Sequence, residues 1–272
     1  MKESVSWSSQ HPPKRFRVCL QTQSYLIGPN QMATATQLSK NDSAVLGAIL
    51  DPEAGLGGNV AVVEPKVEPD RHYDSQTLHT IQEREKQILL PLNSDSPSLS
   101  TIESGIAAFD SLLEEFPNYA AGYNNRAQAR RLLHPDLKKL SQHSHDLKAI
   151  FEDLAAAIRL ASPDSPVQPV SRQAANVLSS AYTHRGYLLY KASQPAASGS
   201  FSLAALPDLA KYDREELTEM ASRDFALGGR YGNKAAKQLA VHTNPYAKLC
   251  GSIVKEALQK EMEAFSTGIT TE

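Results

Sequence analysis

The stretch YNNRAQARR, Tyr123 to Arg131, most constrains what this chain can fold into. Tyr123 and Ala127 set a large aromatic and a small residue one turn apart on a helical face, with Arg126 and Arg130 beside them. Upstream, Gly105-x3-Phe109 repeats the pairing of small residue and aromatic, and Pro117 follows where a helix must stop. The spacing therefore predicts one helix closing before Pro117, a short turn, and a second helix opening at about Tyr123. A helix pair of this kind buries little by itself, so it needs stacked neighbours to complete a core.

Composition narrows the function classes. The chain has 272 residues, 41% of them hydrophobic, which suffices for a core, and a net charge of -2, which gives no general pull toward nucleic acid or anionic lipid. Cys19 and Cys250 are the only cysteines; they stand far apart without metal or redox spacing, which fits a reducing compartment. No apolar run reaches the length of a membrane span. Residues 1–40 hold one acid, Glu3, against Lys2, Lys14, Arg15, Arg17 and Lys40, and are read as a disordered tail. Their basic, hydroxyl-rich character also resembles an organelle transit peptide, and Met32 offers a second start. Residues 41–72 read as a short helix, with Val45, Leu46 and Ile49 on one face, followed by a linker. Gly55, Gly57 and Gly58 lack the spacing and the preceding strand of a nucleotide loop.

From Ser75 onward the apolar period is helical, and the residues match the tetratricopeptide repeat, in which a first helix carries the aromatic and small residue and a second ends at a proline. The expected architecture is an all-α solenoid of about three degenerate repeats, at about 75–117, 118–162 and 171–231, inside a repeat domain spanning 73–265. Repeat one pairs a helix ending at Pro91 with one from Ser98 to Phe116, where Gly105 admits close approach of the two backbones. Repeat two pairs Tyr123 to Arg131 with a helix bearing Ile150, Leu154, Ala157 and Ile158, across a long insertion expected to form a loop. Repeat three opens at Tyr182-x2-Arg185-Gly186 and returns at Ala221-x3-Phe225, beyond a second insertion from about Ser193 to Tyr212. A capping helix at 244–263 starts at Asn244 and Pro245 and turns Leu249, Ile253, Leu258 and Met262 onto the last repeat; a tail at 266–272 follows.

The series AVLGAILDP, YNNRAQARRL, the Arg185-Gly186 helix, and Arg223-Asp224-Phe225 followed by NPYAKLC is similar to the tetratricopeptide repeat protein 36 family, over roughly Asn41 to Lys260. The resemblance implies a non-enzymatic cytoplasmic adaptor without cofactors, linked to heat-shock chaperone binding and to tyrosine catabolism. The first forty residues and the two insertions depart from the family pattern.

First helices of stacked repeats line the concave face. The expected binding groove is Asn124, Asn125, Gln128 and Arg131 from repeat two with Thr183, His184, Tyr187, Tyr190 and Lys191 from repeat three, a mixture of amides, cations and aromatic faces that suits an extended peptide or protein ligand. Asn125 occupies the second-repeat asparagine of the carboxylate clamp used by chaperone-binding repeats, whereas Glu83 and Gln87 in the first repeat and Ser180 and His184 in the third depart from that clamp. The rival function is a regulatory or stabilising subunit of a metabolic enzyme that uses its convex face or its insertions. No catalytic set is expected: Ser179, Ser180 and His184 lack a strained elbow, and Glu114-Glu115 and Glu215-Glu216 are adjacent surface acids. The Arg126, Arg130, Arg131 cluster with Lys138 and Lys139 has acids nearby, against nucleic acid. His134, His143 and His145 occur without cysteine and are read as a solvated loop with no metal.

Overall fold

The computed structural model describes residues 63–64, 67–165, 168–195 and 201–244, with Glu256, Gln259, Lys260 and Met262 beyond them. The expected tail at 1–40, the short helix at 43–50 and most of the capping helix at 244–263 lie outside the described residues. Glu256, Gln259, Lys260 and Met262 are helical, and Met262 is 72% exposed, so it does not cover the last repeat as expected.

Among the described residues the fold is helical, with one isolated parallel bridge between Val63 and Val170. Asp74 starts α1 (Ser75–Leu92) by accepting the Gln76 and Thr77 amide hydrogens, and the helix buries Leu78, Ile81, Leu89 and Leu92. Pro91 does not stop it: the helix runs one residue further, because a proline in the last turn removes only one ladder bond and leaves the cap on Asn93 intact. Ser98 caps α2 (Leu99–Glu115), which buries Ile102, Phe109, Leu112 and Leu113 against α1. A methyl group on Gly105 would stand 2.9 Å from the Leu92 side chain, which is the close approach its place in the pattern predicts.

Helix α3 (Ala120–Leu133) joins the two halves of the core. Ala129 and Tyr119 pack with α1 and α2, while Ala120 and Ala127 belong to the larger cluster built from the helices that follow. The repeat-two insertion is not a plain loop. It forms α4 (Leu137–Gln142), capped by Asp136 and anchored by the fully buried Leu140. Helix α5 (Ser144–Ala161) then returns against α3, burying Leu147, Ile150, Leu154, Ala157 and Ile158.

Ser171 caps α6 (Arg172–Ser193), and the capping box of Asp213 and Glu216 starts α8 (Arg214–Arg230). These two helices make the most extensive pairing of the fold, and Gly186 permits it: an added methyl would sit 3.1 Å from Asp224 Cβ and from the Phe225 ring. The second insertion also enters the core, through Phe201, Leu203 and Leu206 and the short α7 (Pro207–Ala210). Its Ser202 amide donates to Ser141 Oγ of α4 at 2.9 Å, so the two insertions meet on one flank. Loss of Ser193 to Lys211 would therefore open the core. A further helix, α9 (Lys234–Thr243), packs on α8 with Ala236 fully buried. No helix among the described residues is long and apolar enough to cross a membrane.

Candidate binding face

Two arginine–aspartate clamps fix the helix pairs that carry the face. Arg126 of α3 donates Nε to Asp153 Oδ2 of α5 at 3.0 Å and Nη2 to the other oxygen at 2.5 Å, while Nη1 reaches Asp110 of α2 at 2.7 Å. Arg185 of α6 holds Asp224 of α8 in the same manner, at 2.7 and 2.8 Å. Each guanidinium also lies over the tyrosine one turn back, Tyr123 and Tyr182, at 5.4 and 5.5 Å from the ring centre. The Asp153 and Asp224 side chains are only 4% and 6% exposed. Burial pushes both carboxyls above the ordinary range, and the partner arginines draw them back toward ionisation. The clamps are the physical meaning of Tyr-x2-Arg in this chain. The sequence shows Asp224 within Arg223-Asp224-Phe225, but the pairing of Asp153 and Asp224 with these arginines was not expected from it, although Asp153-Leu154 and Asp224-Phe225 repeat the same order of residues.

Helices α1, α3 and α6 lie side by side and share polar contacts. Glu85 of α1 accepts from Tyr119 Oη and from Asn125 Nδ2, both at 2.8 Å, and Asn124 Nδ2 donates to Asn125 Oδ1 at 3.2 Å. Burial raises the Glu85 carboxyl to about 6, against the two hydrogen bonds that favour its anion. Gln82 of α1 donates to Gln173 of α6, and Gln128 of α3 donates to Ser180 of α6, each at 3.0 Å. These bonds tie the three first helices across the face.

The nine expected groove residues divide by what they touch. Asn124 and Asn125 are buried in the Glu85 network, so the one clamp-like asparagine already meets a carboxylate from its own chain. Thr183 is turned away from the face: its hydroxyl donates to Ser179 O at 2.6 Å and accepts from Asn233 Nδ2, at the cap of α9, at 3.0 Å. His184 is buried, and desolvation together with the Arg131 charge lowers its pKa to about 3, so the imidazole stays neutral. Arg131 bonds the carbonyls of His134 and Pro135. Gln128, Tyr187, Tyr190 and Lys191 remain half-buried on the helices, with Lys191 over the Tyr187 ring at 5.7 Å and Tyr190 edge-on to Phe225. The structure thus brings Gln128, Arg131, His184, Tyr187 and Lys191 to one stretch of α3 and α6 and uses Thr183 elsewhere.

Two of the surface acids singled out in the sequence have local partners. Glu115 pairs with Arg84 of α1, and Glu216 belongs to the capping box of α8. At the opposite edge, residues 67–71 cross the starts of α3 and α6 as a strap, held where Ser171 Oγ donates to Pro69 O at 2.9 Å and where Arg71 pairs with Asp164 at 3.1 Å. Beneath it lies a mostly apolar cavity of about 180 Å³ bounded by Ala121, Leu160, Val170 and Val177, below the volume range of drug-sized ligand pockets.

Stacked helix pairs, clamped across each pair and bonded along their first helices, define a helical repeat scaffold of the tetratricopeptide class. The chain is 43% identical over 244 residues to the L-tyrosine degradation gene cluster protein hmgX of Aspergillus fumigatus, covering 83% of this chain and 94% of that one. Tetratricopeptide repeat protein 36 of Xenopus tropicalis is 28% identical over 227 residues, covering 82% of this chain and 88% of its own, and the Homo sapiens protein of that name is 25% identical over 219 residues, covering 80% and 93%. The chain belongs to the tetratricopeptide repeat protein 36 family. No protein-family model and no solved structure matches it.

Proposed function

We propose that this protein is a non-catalytic, cytoplasmic adaptor in L-tyrosine degradation that binds a protein partner across the first-helix face of α3 and α6. The observation that carries most weight is the near full-length likeness to a protein named for an L-tyrosine degradation gene cluster, in a chain whose half-buried groups gather on one repeat face. Gln128, Tyr187 and Lys191 supply an amide, an aromatic ring and a cation for that contact. A carboxylate-terminated chaperone tail is a poor fit beside Asn125, because Glu85 already holds that amide and adds like charge when ionised. A chaperone co-factor role would need a contact elsewhere on the molecule.

Affinity capture of the full-length chain from its native cells tests the proposal. Enzymes of tyrosine degradation should be recovered with wild type and depleted at least fivefold by Tyr187→Ala with Lys191→Glu, two half-buried positions whose loss leaves both clamps in place. Equal recovery by both proteins would move the contact off this face. The joined insertions, linked through Ser202 and Ser141, favour the rival regulatory-subunit reading in that event, and Lys138→Glu with Lys139→Glu on exposed α4 would then be the depleting variant.

A further inference from the structure

The insertion of repeat two brings three metal-ligating side chains to one point. His134 is the C-terminal cap of α3, His143 stands between α4 and α5, and Asp146 lies in the first turn of α5. His134 Nε2 is 2.7 Å from Asp146 Oδ2, and the His143 ring stacks on the His134 ring with centroids 4.3 Å apart. One ligand atom from each of the three lies within 4.8 Å of the other two. His145 stands to one side, with Nδ1 3.6 Å from the second Asp146 oxygen and a side chain 90% exposed.

The frame under these groups is fixed. Arg131 holds the carbonyls of His134 and Pro135, the buried Leu140 anchors α4, and Asp136 caps that helix through the Lys138 amide at 2.9 Å. The His134 and Asp146 side chains are half-buried, so two of the three ligands come from an ordered wall, and His143 closes from the solvent side. Metal bonds of about 2.0–2.2 Å place tetrahedral ligand atoms about 3.4 Å apart. That separation lies between the 2.7 Å His134–Asp146 contact and the 4.8 Å limit of the cluster, within reach of small side-chain rotations. Two imidazoles and one carboxylate are the ligands of zinc and its first-row neighbours; calcium and magnesium take oxygen.

We infer that His134, His143 and Asp146 form a three-ligand site for a zinc-class divalent cation, with a fourth position open to solvent. Binding takes the place of the hydrogen bond between His134 and Asp146: the ring nitrogen that faces the carboxylate gives up its proton, to the other ring nitrogen of a neutral imidazole or to water from an imidazolium. The ion ties the end of α3 to the start of α5 across α4, and so stiffens the flank where the two insertions meet. This site is independent of the proposed partner face, and either can fail without the other.

Zinc titration of the metal-stripped full-length protein by calorimetry, with metal content measured after desalting, tests the inference. One zinc per chain is expected at neutral pH, with affinity at least tenfold lower in His143→Ala and in Asp146→Asn. Asp146→Asn keeps an acceptor for His134 and serves if His143→Ala disturbs the loop. Zinc should also raise the thermal midpoint of wild type and of His145→Ala, but not of the two ligand variants. Absence of saturable binding, or binding that survives both ligand substitutions or depends on His145 instead, would overturn the assignment.

Discussion

The most consequential single residue is Glu85. Its carboxyl is raised from 4.5 to about 6 by burial, so the native state holds the proton more tightly than the unfolded chain does. The resulting stabilisation is complete below pH 4.5 and is lost as pH rises through about 6. Wild type should therefore lose about 1–2 kcal/mol relative to Glu85→Gln between those limits, measured as urea midpoints at pH 4.5 and at about pH 7.5; parallel profiles would show that Glu85 is not desolvated. His184 should show no imidazole titration by NMR at any pH above about 5, because its pKa lies near 3. The clamps give a second test at this scale. Asp224→Ala strands the Arg185 guanidinium, whose side chain is only 27% exposed, and should cost about 3 kcal/mol in urea denaturation; Asp153→Ala leaves Arg126 its Asp110 contact and should cost less. Arg126→Lys should cost part of that, since an ammonium makes one of the two paired bonds. A loss below about 0.5 kcal/mol in both alanine variants, the range of surface pairs, would mean that the pairs are solvated.

At the scale of elements, the insertions behave as structure and not as spacers. Phe201 is 6% exposed within the main cluster, and Phe201→Ala should destabilise the fold by about 3–5 kcal/mol. Helical periodicity made α1, α2 and α5 legible, because each places large apolar residues one turn apart: Phe109 with Leu112 and Leu113, or Ile150 with Leu154; α3, α6 and α8 were legible from the repeat pairing of an aromatic with a small residue, as Tyr123 with Ala127, Tyr182 with Gly186 and Phe225 with Ala221. Helix α9 escaped because it buries only Ala236 and Thr243, too small a signal for periodicity to catch. Helix α4 escaped because its six residues hold one buried leucine, Leu140. The groove was legible in part for a similar reason. Repeat register set α3 beside α6, where Gln128 donates to Ser180, but register carries no information about α9, whose cap at Asn233 draws Thr183 away. Nor does it reveal that Glu85 would reach Asn125 from a neighbouring helix.

For the whole molecule, a continuous first-helix face is held from within by Glu85–Asn125, Gln82–Gln173 and Gln128–Ser180 and from behind by the two clamps. Such a face presents its half-buried groups without rearrangement, which limits the ordering cost of binding. The strap at 67–71 crosses the starts of α3 and α6 and the joined insertions lie at the α4 flank, so a partner on the proposed face would be framed between them. Hydrogen exchange of the full-length protein, alone and with each purified enzyme of tyrosine degradation in turn, tests the adaptor assignment most directly. Protection should rise along Gln128 to Arg131 and Ser180 to Lys191 with at least one of those enzymes. Protection confined to α4 and residues 201–206, or no protection with any of them, would contradict it.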